Sequence, residues 1–211
     1  MSAQATSLPP YMVPLPQYHF APLPSWQVPS VADCEALWNT YAMMDHIRNH
    51  SRQVAAVAVG LAERAVQRGL TVDVPAVRAS ALLHDIAKSY TILHGGSHAQ
   101  IGAAWVVAET QHQGIAQAVR FHVHWPWDLP DDDAVFSPAF LVLYADKRIK
   151  HDQCVSLQER FEDLLCRYGS TEKARMGIGL SHQQGRNLER VLSGQLEWDI
   201  HACTLNSGRL V

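Results

Sequence analysis

Residues 80–90 read SALLHDIAKSY: the apolar run Ala81-Leu82-Leu83 delivers a histidine and an aspartate side by side, His84 and Asp85, with Lys88 three positions on. A helix heading into a core has no packing use for an adjacent imidazole and carboxylate. Two readings follow. The pair can decorate a helix end and satisfy itself by hydrogen bonds to backbone, as buried histidines ordinarily do. Alternatively both side chains are metal ligands. Further ligands must then come from elsewhere in the chain, because neighbours on one helix point about 100° apart and cannot close a shell alone.

The rest of the composition is ordinary except for one number. With 211 residues the chain has room for one domain with its own core and too little for two. Hydrophobic residues make up 47% and charged ones 18%, a globular balance, and a net charge of −3 sets up no field towards nucleic acid or anionic lipid. Four cysteines (Cys34, Cys154, Cys166, Cys203) form no C-x-x-C pair, which fits a reducing, cytoplasmic setting. No run of about 18 apolar residues and no leader-like start is present, so neither export nor a membrane span is expected. The exception is twelve histidines.

Two compositions divide the chain. Residues 1–30 hold seven prolines and no Asp, Glu, Lys or Arg, which predicts an extended arm; Tyr11, Tyr18, Phe20 and Trp26 predict that it lies in a groove of its own domain or of a partner subunit. From residue 31 to 211 the apolar spacing is helical throughout, and an all-α domain is expected. Two helices are predicted over 31–69 with a break near Met43 to Asp45 and a stop at Gly69. The next opens at Asp73 with Pro75 in its first turn and ends near the His-Asp pair. Later starts are marked by Ser97, by Ser137-Pro138, and by Ser156 with Glu159 at the capping-box position. A short helix ending in RFHVH and a last one from Ser181 complete the series, and His94 reads as a loop residue beside Gly95 and Gly96.

Candidate partners for His84 and Asp85 occur in the neighbouring helices: His50 in RNHS, His98 in GSHAQIGA, His122 in RFHVH and Asp146 in YADK, each beside apolar residues. Singly, each suits a satisfied core position. As an ordered set, His50, then His84-Asp85, then Asp146 resembles the H…HD…D pattern of the HD-domain metal-dependent phosphohydrolases. His98 and His122 resemble the additional histidines of members with a two-metal centre, and LLHDIAK and YADK are similar to the branch that includes dinucleoside-tetraphosphate hydrolases. The resemblance covers about residues 43–170, outside which lie the arm and the last forty residues.

That resemblance implies a helical bundle and a centre of two divalent transition-metal ions (iron, manganese, zinc, nickel or cobalt), with no thiolate ligand. One ion is expected on His50, His84 and Asp146, the other on His98 and His122, and Asp85 bridges them because a carboxylate has two oxygens. The ions activate a water for in-line attack on a phosphate ester or anhydride of a nucleotide or similar molecule. Lys88, one turn past Asp85, is expected to hold the carboxylate or meet a phosphate oxygen. His94, Arg120, His124, Lys147 and Arg148 are further substrate-contact candidates, and His46 shares the face of His50. Two other outcomes remain open on the sequence: a nucleotide sensor that keeps the metal site, and a di-iron oxygenase of the same fold.

Overall fold

The computed structural model describes residues 23–201, and the packing expected of the arm over 1–22 lies outside them, as does Cys203. Residues 23–30 attach to the body. The Gln27 N–H donates to the Thr110 carbonyl at 3.0 Å, and the Trp26 ring lies 4.3 Å from that of His112.

Helix ends fall where side chains can satisfy the backbone groups that a helix leaves free. Helix α1 (Val31–Thr40) starts at a capping box in which Ser30 and Asp33 each accept the other's N–H. Helix α2 (Asp45–Gln67) stops before Gly69, whose φ of 87° favours glycine. Helix α3 (Val74–Leu83) is capped by the Asp73 carboxylate, which accepts from the Ala76 N–H; caps of this kind contribute about 1 kcal/mol. A turn over 84–87 leads into a short α4 (Lys88–His94), so His94 ends a helix rather than lying in a loop. Helices α5 (His98–Thr110) and α6 (Gln113–Phe121) are capped by Ser97 and His112. A 3-10 turn, Asp133–Phe136, precedes α7 (Pro138–Asp146); Ser137 takes the cap position there, but its hydroxyl caps nothing.

Three further differences from the sequence reading appear in the last third. A minimal antiparallel pair, β1 (Ile149–Lys150) and β2 (Gln153–Cys154), interrupts the helices. Before α8 (Leu157–Tyr168), Ser156 accepts from the Glu159 N–H, yet the Glu159 carboxylate turns to Lys150 at 3.2 Å and leaves the box half made. Helix α9 (Glu172–Leu196) starts at a Thr171 cap, well before Ser181. Gly177 and Gly179 disguise its first turns, since glycine disfavours helix by roughly 1 kcal/mol.

The core forms around α7, whose residues Ala139 to Ala145 are all buried, as expected of a helix that is apolar on every side. Helices α2, α3 and α6 pack against it. Helix α2 turns Ile47, His50, Val54, Ala58, Leu61 and Ala65 inward at spacings of three and four, so His50 sits in the apolar stripe. The packing brings the C-terminal ends of α3, α6 and α7 to one place, beside the first residue of α5.

Close approach sets that place. Where α5 crosses the turn over 84–87, a Cβ on Gly102 would lie 3.2 Å from Val119 Cγ1 and 3.3 Å from Ile86 Cγ2. Gly102→Val is expected to lower stability by about 1–3 kcal/mol, read as a fall in Tm by circular dichroism. An unchanged or higher Tm would show that α5 has slack at this crossing.

Candidate metal centre

Three histidines at the meeting point have one ring nitrogen already committed. His84 Nδ1 lies 2.7 Å from the Ala81 carbonyl, His122 Nδ1 lies 2.7 Å from the Val119 carbonyl, and His50 Nδ1 lies 3.0 Å from the His151 carbonyl. A carbonyl only accepts, so each Nδ1 carries the hydrogen and Nε2 is the nitrogen left to offer a lone pair to a metal ion. The Ala81 and Val119 carbonyls sit three residues before their histidines, among the acceptors that a helix end leaves free. One hydrogen bond thus closes each helix and aims an imidazole.

The Nε2 atoms are aimed at Asp85, which is 1% exposed, and at Asp146. Each Asp85 oxygen faces its own pair of rings. Oδ2 lies 3.4 Å from His84 Nε2 and 4.0 Å from His50 Nε2; Oδ1 lies 3.4 Å from His98 Nε2 and 3.6 Å from His122 Nε2. Asp146 Oδ1 is 2.9 Å from His50 Nε2 and 3.8 Å from His84 Nε2. His50, His84 and Asp85 make one group able to hold a metal ion, and Asp85, His98 and His122 make a second that shares the aspartate.

The donor set fits such ions. Among the described residues, Asp85 Oδ1 and His84 Nε2 are buried without a hydrogen-bond partner, although buried polar atoms are nearly always paired. His50 Nε2 faces Asp146 Oδ1, and His98 Nε2 faces His122 Nε2 at 3.2 Å. Facing lone pairs at such range repel unless a proton or a metal ion lies between them. Ligands about 2.1 Å from a common ion lie about 3.0–3.4 Å from one another, close to the spacings seen.

The electrostatics favour positive charge. Burial opposes ionisation of Asp85, but the charges of His84 and Lys88 outweigh it and hold the carboxyl well below its usual range. Asp146 is held well below its range in the same sense, where the hydrogen bond from His50 overcomes burial. Burial pushes His84 down, and the Asp85 charge more than reverses this, so this ring gains a proton more readily than usual. His98 is lowered to about 4, chiefly by burial, and is neutral near pH 7. The three converging helix C-termini add negative potential. The most exposed side chains of the cluster are Lys88 at 41%, His98 at 28% and Asp146 at 19%.

Of the other residues singled out from sequence, Lys88 is at the centre, its Nζ 2.6 Å from Asp85 Oδ2. His124 is exposed two residues beyond His122, and His46 is also exposed. His94 is exposed and lies 4.5 Å from the Tyr90 ring, and the Arg120 guanidinium lies 5.1 Å from the centroid of the Phe121 ring. Lys147 is buried and donates to the Val123 carbonyl at 2.9 Å; burial lowers it to about 8. Arg148 is fully buried, with its guanidinium engaged by the carbonyls of Val155 (2.7 Å), Ile200 and His201 (3.2 Å) and by the Tyr144 hydroxyl. It joins α7 to the residues that follow α9, and a phosphate contact by Arg148 is corrected to this structural role. The sequence reading missed two groups. The carbonyl of His151, in the tight turn between β1 and β2 at φ 58°, orients His50. Arg160 on α8 bears charge close enough to Lys88 and Lys147 to oppose their protonation. A backbone acceptor leaves no mark in sequence, and Arg160 looks there like any helix-surface cation.

No solved structure matches the chain. None of the helices in the described residues is long and apolar enough to cross a membrane. The sequence matches the HD domain over residues 47–163, more than half its length, a span that contains His50, His84, Asp85, His98, His122 and Asp146. With this match added to the shared-aspartate cluster, the chain belongs to the HD domain family.

Proposed function

We propose that the protein is a metal-dependent phosphohydrolase that cleaves a phosphate ester or anhydride of a nucleotide or a related small molecule. The observation that carries this reading is Asp85: a buried carboxylate in an HD domain, each oxygen facing a separate pair of imidazoles. His50, His84 and Asp146 would hold one divalent ion, His98 and His122 the other, and Asp85 both. Nitrogen-rich sites favour iron, manganese, zinc, nickel or cobalt over magnesium or calcium, which prefer oxygen. Bound there, two such ions supply an activated water and offset charge on the phosphoryl oxygens.

The chain's own side chains divide the remaining work. The Nδ1–H bonds of His50, His84 and His122 keep Nε2 available and hold the rings against rotation. Burial of Asp85 excludes competing water from the bridge. Lys88 balances the Asp85 charge and, being partly exposed, can turn its ammonium to a substrate oxygen as the phosphate arrives. The likeness of LLHDIAK and YADK to the dinucleoside-tetraphosphate hydrolase branch supports a nucleotide as substrate.

The stoichiometry is the first test. Protein purified without chelator is expected to carry about two transition-metal ions per chain, and His122→Ala about one while staying folded, by elemental analysis. One ion in both proteins would return the site to a single metal on His50, His84, Asp85 and Asp146.

Turnover is the second. Asp85→Asn keeps the size of the side chain and loses its charge, so kcat on a phosphate-ester panel should fall about 10²-fold or more. Lys88→Ala should mainly raise KM and leave the metal content unchanged. Full activity in Asp85→Asn would remove the hydrolase reading.

A further inference from the structure

Beyond the cluster, a cavity of about 910 Å³ opens between the WPWDLP segment (125–130) and α9. Its volume falls in the range of small-ligand sites, roughly 300–1,000 Å³. His124 forms its lip, and by chain reach the Cα of His124 lies at most ~7 Å from that of His122, a member of the cluster.

The cavity has a rigid frame and unengaged contact groups. Gln184, which is buried, clamps the segment by accepting from the Trp125 N–H (3.0 Å) and donating to the Trp125 carbonyl (2.8 Å). The ring contacts of Trp127 are edge-on, to Phe121 and Trp125 at 70° and 69°, and among the described residues no ring lies parallel to it. Gln183, Asn187 and Arg190 line the facing wall at helical spacing on α9, exposed and without a protein partner among the described residues. An indole and two carboxamides lining one cavity suit a flat ring with hydrogen-bonding edges. Asp131 also lines the cavity, where its carboxylate can accept from hydroxyl or amino groups. Helix α9, which forms one wall of the cavity, lies outside the matched span 47–163.

We propose that this cavity binds the heterocyclic base of a nucleotide, stacked on Trp127 and read by Gln183 and Asn187, with the phosphate end directed past His124 to the His/Asp cluster. The inference rests on the phosphohydrolase reading and deepens it by naming a nucleoside phosphate as the ligand class.

The test uses calorimetry on the metal-loaded full chain with two probes, adenosine 5′-monophosphate and ribose 5-phosphate, which differ by the base. The nucleotide should bind about tenfold or more tightly than the sugar phosphate, a ratio in the range expected for one stacked base. Trp127→Leu should abolish the preference, and Asn187→Ala, at an exposed position, should reduce it even if Trp127→Leu does not fold. Equal affinities, binding of neither probe, or a preference that survives both substitutions overturns the proposal. Hydrolysis of p-nitrophenyl phosphate without a base preference would sink the cavity inference alone, whereas a base preference without hydrolysis of any ester would sink the enzyme reading and keep the cavity.

Discussion

A hydrogen bond from an imidazole to the free carbonyl of its own last helical turn holds this centre together. His84 makes it on α3 and His122 on α6, and each bond satisfies an acceptor that would otherwise be stranded in the core. Singly such a bond contributes roughly 0.5–1.5 kcal/mol net. Its larger effect is to fix tautomer and direction together. His50, in the interior of α2, cannot use its own helix end, and the turn between β1 and β2 supplies the His151 carbonyl instead. That short hairpin therefore serves the same purpose as the two helix ends.

The fold and the cluster depend on one another unequally. Helix α7 is buried on all sides and would pack as well without a site, but its last residue is Asp146, so the most apolar helix delivers a carboxylate to the core's edge. Burying the Asp85 carboxylate is unfavourable by several kcal/mol unless positive charge compensates it. Lys88 supplies part of that charge. Bound cations would supply the rest, so metal binding and stability are coupled here.

Much of this was legible in the sequence, and the failures have physical causes. The His84-Asp85 pair stood out because an apolar run led into it, His50 because it occupies the apolar stripe of α2, and Asp73, Ser97 and Ser156 because caps have a fixed chemistry. Helix α4 was hidden by its shortness and the first turns of α9 by their glycines. Arg148 next to Lys147 looked like a phosphate contact because both are cationic. Its burial follows from a partnership with Ile200 and His201, more than fifty positions away, which no local pattern encodes. The cavity beside Trp127 was invisible for the same reason, since its two walls come from segments far apart in the chain.

The central claim is that Asp85 bridges two ions. Crystals grown with manganese, with anomalous data collected above its absorption edge, measure this directly. The account predicts two anomalous peaks about 3.5–4 Å apart, one between His50, His84 and Asp146 and one between His98 and His122, with an Asp85 oxygen on each. A single peak, or two peaks with Asp85 on only one of them, would contradict it.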